Sequence, residues 1–410
     1  MFAMKTTVYL DNAATTQIYD EVLEEMMPFL KDEFASSLGQ YAPGFYANAA
    51  VTLARAHIAR LIGADPMEIT FTSSGTESDN LFLRGVVAAL KEKDEIVIAV
   101  NSTDHAAVLN TCEDLARQND KVRLIKLPVD KDGYIDENAY AFALESHPDI
   151  ISIMHVNNET GVVNDIKKLC RAAHEAGALF HTDAVQSVPH MRVDVKDLGV
   201  DALSVSGHKL HGPKGSGFLY VKRGVRVSPL ITGGGQENGM RSGTLDVASS
   251  VGLGKACEML FEKGLSDRSA GSAADAFLEH IKTLMPFAVI NRPSVDTAQP
   301  YDKSPDKQPQ NKRLYLREII SISIPGGSSL SFLPDLDMAG VYCSAGAACS
   351  AGKEGVSHVL KAMGMDEDLA KGTLRFSFSD QNTAEEATEA ARRVSEVVLK
   401  NLKNHERGKI

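Results

Sequence analysis

The chain reads as an α/β protein: a large domain on a mostly parallel sheet, followed by a smaller α+β C-terminal domain. Three observations lead there. From about residue 65 to 225, short apolar runs alternate with amphipathic helical stretches, the pattern of strands buried on both faces with helices between them. The residues with chemical character fall just past the ends of those runs, where such sheets bind ligands. Beyond about residue 264 the alternation stops, and a helix, a strand, a Gly/Ser/Cys-rich loop and two terminal helices are expected.

Taken in order, EITFT (68–72) reads as a strand leading into a helix from about Glu77 to Leu90. EIVIAV (95–100) precedes a helix near Ala106–Arg117, and VRLIKL (122–127) is the next strand. IISIMHV (150–156) leads through a loop to a helix near 165–176, then to the strands ALFHTDA (178–184), ALSVS (202–206) and GFLYV (217–221). A long helix follows Thr244 to about 264, and EIISISI (318–324) is a strand of the second block. Between them, 291–313 is polar and proline-rich with little to pack, so a mobile surface loop is expected there. The division that results is 15–262 for the large domain, with 1–14 and 263–410 forming the small one.

At 410 residues, 43% of them hydrophobic, the chain can bury a sizeable core. A net charge of −11 argues against nucleic-acid binding as its main task. No apolar run approaches the ~18 residues of a membrane span, and MFAMKTTVYLDNAATT has no apolar signal core. Five scattered cysteines, without a Cys-x-x-Cys pair, fit free thiols in a reducing cytoplasm and no metal site.

The stretch LSVSGHKLHGPKG (203–215) brings Lys209 to the mouth of a strand and surrounds it with glycine. A plain surface turn would have this composition. So would a Schiff-base lysine, whose amine becomes nucleophilic when burial disfavours its charged form. Pyridoxal phosphate asks a protein for such a lysine, an anion on the pyridine nitrogen, a phosphate cup and a ring to stack on. Lys209 answers the first and Asp183, ending ALFHTDA, the second. SSGTES (73–78) sets small residues and Thr76 at a helix N-terminus, where N–H groups and the dipole favour a dianion. His105, in STDHAAV, is placed to stack on the ring. Each has a bland reading as cap, structural aspartate or loop histidine. Their order along one sheet makes coincidence a poor account.

LDNAATT (10–16), FTSSGTESDN (71–80), HVNNETG (155–161), HTDAVQS (181–187), SGHKLHGPKG (206–215), GGGQENGMRSGT (233–244), SAGAACSAG (344–352) and LRFSFS (374–379) resemble the cysteine desulfurases. These are fold-type I pyridoxal-phosphate enzymes of the class V aminotransferase group. The resemblance implies that Lys209 carries the cofactor, Asp183 pairs with its pyridinium, and Gln186 meets its phenolic oxygen. It implies phosphate contacts from Thr76, Ser206 and His208, with Thr244 reaching in from a partner subunit, hence a homodimer. Asn158 and Arg375 would clamp the substrate carboxylate, and Lys209, His105 and Cys349 would be catalytic. L-cysteine would become L-alanine, leaving a persulfide on Cys349 for a sulfur-acceptor protein in iron–sulfur assembly or thiolation. Cys343 is expected to pack at the loop base.

The segment FASSLGQYAPGFY (34–46) lacks the family's Asn-Pro and its histidine, 291–313 is longer than usual, and Pro334 falls where relatives tend to be helical. A selenocysteine lyase or another lyase on the same scaffold, a class V aminotransferase that needs no thiol, and a scaffold that only binds a partner remain open alternatives.

Overall fold

Seven strands form the main sheet of the protein, seen here in a computed structural model that describes residues 7–264, 269–293, 298–302, 313–346 and 356–407. In chain order they are β1 (Ile69–Thr72), β2 (Ile96–Asn101), β3 (Val122–Leu127), β4 (Ile150–Ser152), β5 (Leu179–Asp183), β6 (Ala202–Ser206) and β7 (Gly217–Val221). They lie side by side as β1-β7-β6-β5-β4-β2-β3. Only β7 runs against its neighbours; every other adjacent pair is parallel. The order reverses between β2 and β4, and the crevice at that switch point is where an open α/β sheet takes its ligand.

The strands end close to where the apolar runs end, with one exception. IISIMHV is ladder only over 150–152, because Asn157 turns the chain outward: its side-chain oxygen accepts from the N–H groups of Glu159 and Thr160. Gly161 completes that turn at φ 74°, and a Cβ there would meet the Leu316 carbonyl oxygen at 2.9 Å. The helices beside the site begin on side-chain caps. Ser74 accepts from the N–H of Glu77 at the start of Gly75–Ala89, and His105 Nδ1 from the N–H of Ala107 at the start of Ala106–Gln118. Such caps satisfy donors that a first helical turn leaves open.

Two helices that the apolar pattern did not announce, Asp20–Lys31 and Ala42–Ile62, pack on the long helix Val247–Lys263. A second core surrounds an antiparallel sheet of Val289–Ile290, Ile319–Ser323, Thr373–Ser377 and Ser344–Ala345, covered by helices Ser269–Leu284 and Ala384–Arg407. Val8 and Leu10, at the other end of the chain, are buried in that core.

One expectation needs correcting. Within 291–313, residues Ala298–Pro300 are not an unpacked loop: they form a strand parallel to Arg313–Tyr315, with Ala298 buried. The helix Ser329–Met338 runs through Pro334. Among the described residues no helix is long and apolar enough to cross a membrane.

Candidate active site

A cleft of about 390 Å³ opens beyond the carboxyl ends of β5 and β6. Thr76, His105, Asn158, Asp183, Gln186, Ser206, His208, Lys209 and Arg375 all line it, so nine residues singled out from the sequence meet in one place. The sheet explains six of them. Asp183 ends β5, Ser206 ends β6, and Lys209 and His208 follow in the short helical turn Gly207–Lys209. His105 caps the helix after β2, and Thr76 lies in the first turn of the helix after β1.

The other side of the cleft is the N-terminal segment. Residues 8–9 pair with 341–342 at the second core, and the chain then crosses to the lysine loop, where the Thr16 N–H donates to the His208 carbonyl. On the way, the carbonyls of Ala13 and Ala14 accept from Lys209 Nζ at 2.6 and 2.5 Å. Ala13 also accepts from Gln186 Nε2 at 2.9 Å. An ammonium donating to two carbonyls is well solvated by the protein itself. His208 Nδ1 lies 3.1 Å from Thr15 Oγ1, and burial drops this imidazole to about 4.

Arg375 closes the far end. It sits in the strand Thr373–Ser377 and is 1% exposed, the largest fully buried side chain among the described residues. One amino group donates to Asp11 Oδ1 at 2.8 Å and the other to the Asn158 carbonyl oxygen at 3.1 Å. Asp11 takes a second bond from Ser344 Oγ at 2.7 Å. The guanidinium therefore reaches the cleft already shared with a carboxylate, while its Nε has no hydrogen-bond partner among the described residues. Asp11 lies in the quoted LDNAATT stretch but was not recognised as its partner; nothing in the sequence marks a contact 364 positions away.

Buried acids surround the floor. Asp79, Asp183 and His105 each offer a ligand atom, and these atoms lie within 4.8 Å of one another. Burial first, and the Asp183 charge second, push the Asp79 carboxyl well up; its Oδ1 has no hydrogen-bond partner among the described residues. Burial also raises Asp183, against the pull of His105 and Lys209. Beneath them His181 bridges Ser152 and Ser204, and burial holds it down to about 3. Glu159, next to Asn158, is 3% exposed; burial lifts it to about 7, although Ser357 Oγ donates to it at 2.5 Å. Nothing in the sequence marks Asp79 and Glu159 as buried, since an acid in a helix start or a polar loop looks solvated in one dimension.

Thr244 is exposed and lines no part of this chain's cleft. Cys349 lies outside the described residues. Cys343 packs against the second core, and burial pushes its thiol far up.

The residues present fit pyridoxal phosphate. The helix beginning at Gly75 points its first N–H groups and positive dipole end into the cleft, as an anion site does. Gly75 keeps that mouth open: a Cβ there would meet Val185 Cγ2 at 2.8 Å. Asp183, buried at the end of β5 and lining the cleft beside Lys209, suits a ring nitrogen that carries a proton.

Comparison with known proteins agrees. The family model described as aminotransferase class V matches residues 8–389. A cysteine desulfurase IscS of Dictyoglomus turgidum is 39% identical over 384 residues, covering 93% of this chain and 92% of the relative. The cysteine desulfurase NifS of Azotobacter vinelandii is 37% identical over 393 residues, covering 95% and 92%. Among solved structures, a NifS-like protein superposes with a TM-score of 0.83 at 32% identity, over 96% of this chain and all of the other. One described as SspA in complex with cysteine gives 0.73 at 32%, over 91% and 99%. With these relatives spanning nearly the whole chain, and with its lysine, aspartate and arginine gathered in one cleft, the protein belongs to the class V aminotransferase family and, within it, to the cysteine desulfurases.

Proposed function

We propose that this chain takes L-cysteine to L-alanine and holds the sulfur as a persulfide on Cys349 before handing it to an acceptor protein, in iron–sulfur assembly or thiolation. The observation that carries the reading is the meeting of Lys209, Asp183 and Arg375 in one cleft. Pyridoxal phosphate, when bound, supplies an electron-poor ring that loosens the bonds at the amino acid's α-carbon. Thr76, Ser206 and His208 would hold its phosphate, Gln186 and Asp183 its ring oxygen and nitrogen, and His105 its face.

The chain's own residues do the rest. Arg375 and Asn158 orient the substrate carboxylate, the guanidinium offering a planar donor pair. Lys209 would hold the cofactor through its amine until the substrate's amine replaces it, and the freed amine would then move the α-proton. Cys349, as thiolate, forms the S–S bond while the substrate's Cβ–S bond breaks. The carbon takes up a proton in place of sulfur and leaves as alanine. The bound cysteine described for the SspA structure supports this substrate.

A homodimer fits Thr244 exposed outside its own cleft and the apolar Leu23, Met27, Leu30, Phe45 and Leu53 exposed on the helices Asp20–Lys31 and Ala42–Ile62. The free thiols of Cys112, Cys170, Cys257 and Cys343 suit a cytoplasmic setting. We assign 15–262 to the cofactor domain and 1–14 with 263–410 to the small one, following the two cores. Mass spectrometry after exposure to L-cysteine tests the reading: one added sulfur should map to Cys349 and vanish in Lys209→Ala. Full sulfide release by Cys349→Ala would overturn the transfer step.

A further inference from the structure

Behind Lys209 lies a second, smaller cavity of about 70 Å³, bordered by Tyr19, His211, Lys263 and Asp380 as well as by the lysine. Three parts of the molecule meet there: the N-terminal segment, the lysine loop and the small domain. His211, two positions past Lys209, holds a left-handed backbone at φ 59° and stacks on Tyr19 with ring centroids 4.1 Å apart. Its Nδ1 is 2.7 Å from the Gln17 carbonyl oxygen. A carbonyl only accepts, so Nδ1 carries the hydrogen and Nε2 of the neutral ring is left a bare lone pair.

That lone pair faces Asp380 Oδ1 at 3.5 Å. The carboxylate's other oxygen is well supplied: Tyr19 OH donates to Oδ2 at 2.6 Å and Lys263 Nζ at 3.3 Å. Oδ1 is buried and has no hydrogen-bond partner among the described residues. Two acceptors thus confront each other across the domain junction, and a buried acceptor without a donor is costly. A single proton removes the conflict, because the imidazolium donates from both nitrogens.

We propose that His211 and Asp380 are positioning residues forming a proton-operated link: a proton taken up at His211 Nε2 supplies the donor that Asp380 Oδ1 lacks and fixes Lys209 relative to Arg375. Asp380 lies three positions past the strand Thr373–Ser377 that carries Arg375, so the link ties the two ends of the catalytic cleft together. It rests on reading those ends as the seats of the reactive amine and the substrate carboxylate. The charged and titratable groups around His211 are Asp380 from the small domain, Lys263 from the long helix, Tyr19 from the N-terminal segment, and Lys209 and His208 from its own loop, with His190 on the cavity wall. Burial and Lys263 lower the ring below its ordinary range, against the pull of Gln17 and Asp380. The link is therefore open at pH 8 and closes as pH falls below the usual imidazole range.

The experiment compares holoenzyme with Asp380→Asn and His211→Gln, each checked for folding by thermal melting. KM and kcat for L-cysteine are measured from pH 5.5 to 8.5, and His211 is titrated by 13Cε1-histidine NMR, with His211→Gln assigning the resonance. The KM of Asp380→Asn relative to wild type should rise about tenfold between the alkaline and acid ends, the size of one hydrogen bond to a charged group, with kcat moving less. The His211 midpoint should fall by about one unit when the carboxylate charge is removed. A KM ratio that ignores pH, or an unchanged midpoint, overturns the link. Should wild type make no alanine from cysteine, the desulfurase reading fails by itself, and the NMR midpoint still decides the His211–Asp380 contact.

Discussion

The two ends of the cleft are made in different ways. Asp183, Ser206 and Lys209 stand at or just past the ends of adjacent strands β5 and β6, each a few positions from a hydrogen-bonded ladder. Arg375 belongs to another sheet, and its guanidinium is placed by Asp11 from the N-terminal segment and by the carbonyl of Asn158 in a loop. Both backbones are fixed by ladders, Arg375 lying between Ser321 and Ser344 in its own sheet. The difference is in the side chains: Lys209 Nζ rests on two carbonyls, whereas the buried Arg375 guanidinium is paired with a carboxylate. Substitutions should accordingly damage chemistry alone at the first end, and chemistry together with stability at the second.

The largest effect expected is that of Lys209→Ala: cysteine-to-alanine turnover should fall by roughly three orders of magnitude or more, while the melting temperature barely moves. A large loss of stability would put the lysine in the same class as Arg375. Arg375→Gln should raise KM for cysteine about a hundredfold, since a paired charge contact is lost, and should cost about 3 kcal/mol because Asp11 is left without its partner. Adding Asp11→Asn should restore much of the stability and none of the KM, measured by denaturant titration and steady-state kinetics.

A smaller effect separates the ends by pH. Glu159 has a folded-state carboxyl raised by burial to about 7, so the native protein binds a proton that the unfolded chain releases above its ordinary 4.5. Its contribution is present at low pH and is lost as pH rises through 7, amounting to about 3 kcal/mol. Glu159→Gln should flatten stability between pH 4.5 and 8 and be the more stable protein at pH 8. His155, His181 and His208, lowered to about 4, 3 and 4 by burial, act in the opposite sense and lose stability as pH falls below 6.5. The smallest change is at the phosphate mouth. Gly75→Ala should cost about 1–3 kcal/mol by overpacking against Val185 and weaken cofactor binding, and Val185→Ala should recover part of both.

The same contrast governs what the sequence discloses. Residues at strand ends were legible because apolar runs mark strands, and β3, β6 and β7 coincide with their runs residue for residue. Lys209 and Asp183 followed from that placement. The ion pair of Arg375 with Asp11 was not legible, since one-dimensional patterning carries no signal across 364 positions. Nor were the buried acids Asp79 and Glu159, because burial of a polar residue is decided by tertiary packing. The helices Asp20–Lys31 and Ala42–Ile62 escaped for other reasons. Asp20–Lys31 carries Pro28 within it, a residue that usually ends a helix, and Ala42–Ile62 leaves Phe45 and Leu53 exposed, which blurs the one-sided stripe that marks a surface helix. The strand Ala298–Pro300 was hidden in a proline-rich stretch; it pairs at a sheet edge and buries Ala298 against Tyr134, Val162 and Tyr315.

Residues 8–16 are tethered at both ends, to the second core through Val8 and Leu10 and to the lysine loop through Thr16. Lys209 hangs from the middle of that tether. Strain between those two anchors is thereby passed to the reactive amine, so a proteolytic nick between Leu10 and Thr15 would be transmitted to turnover without touching any group that contacts the amino acid.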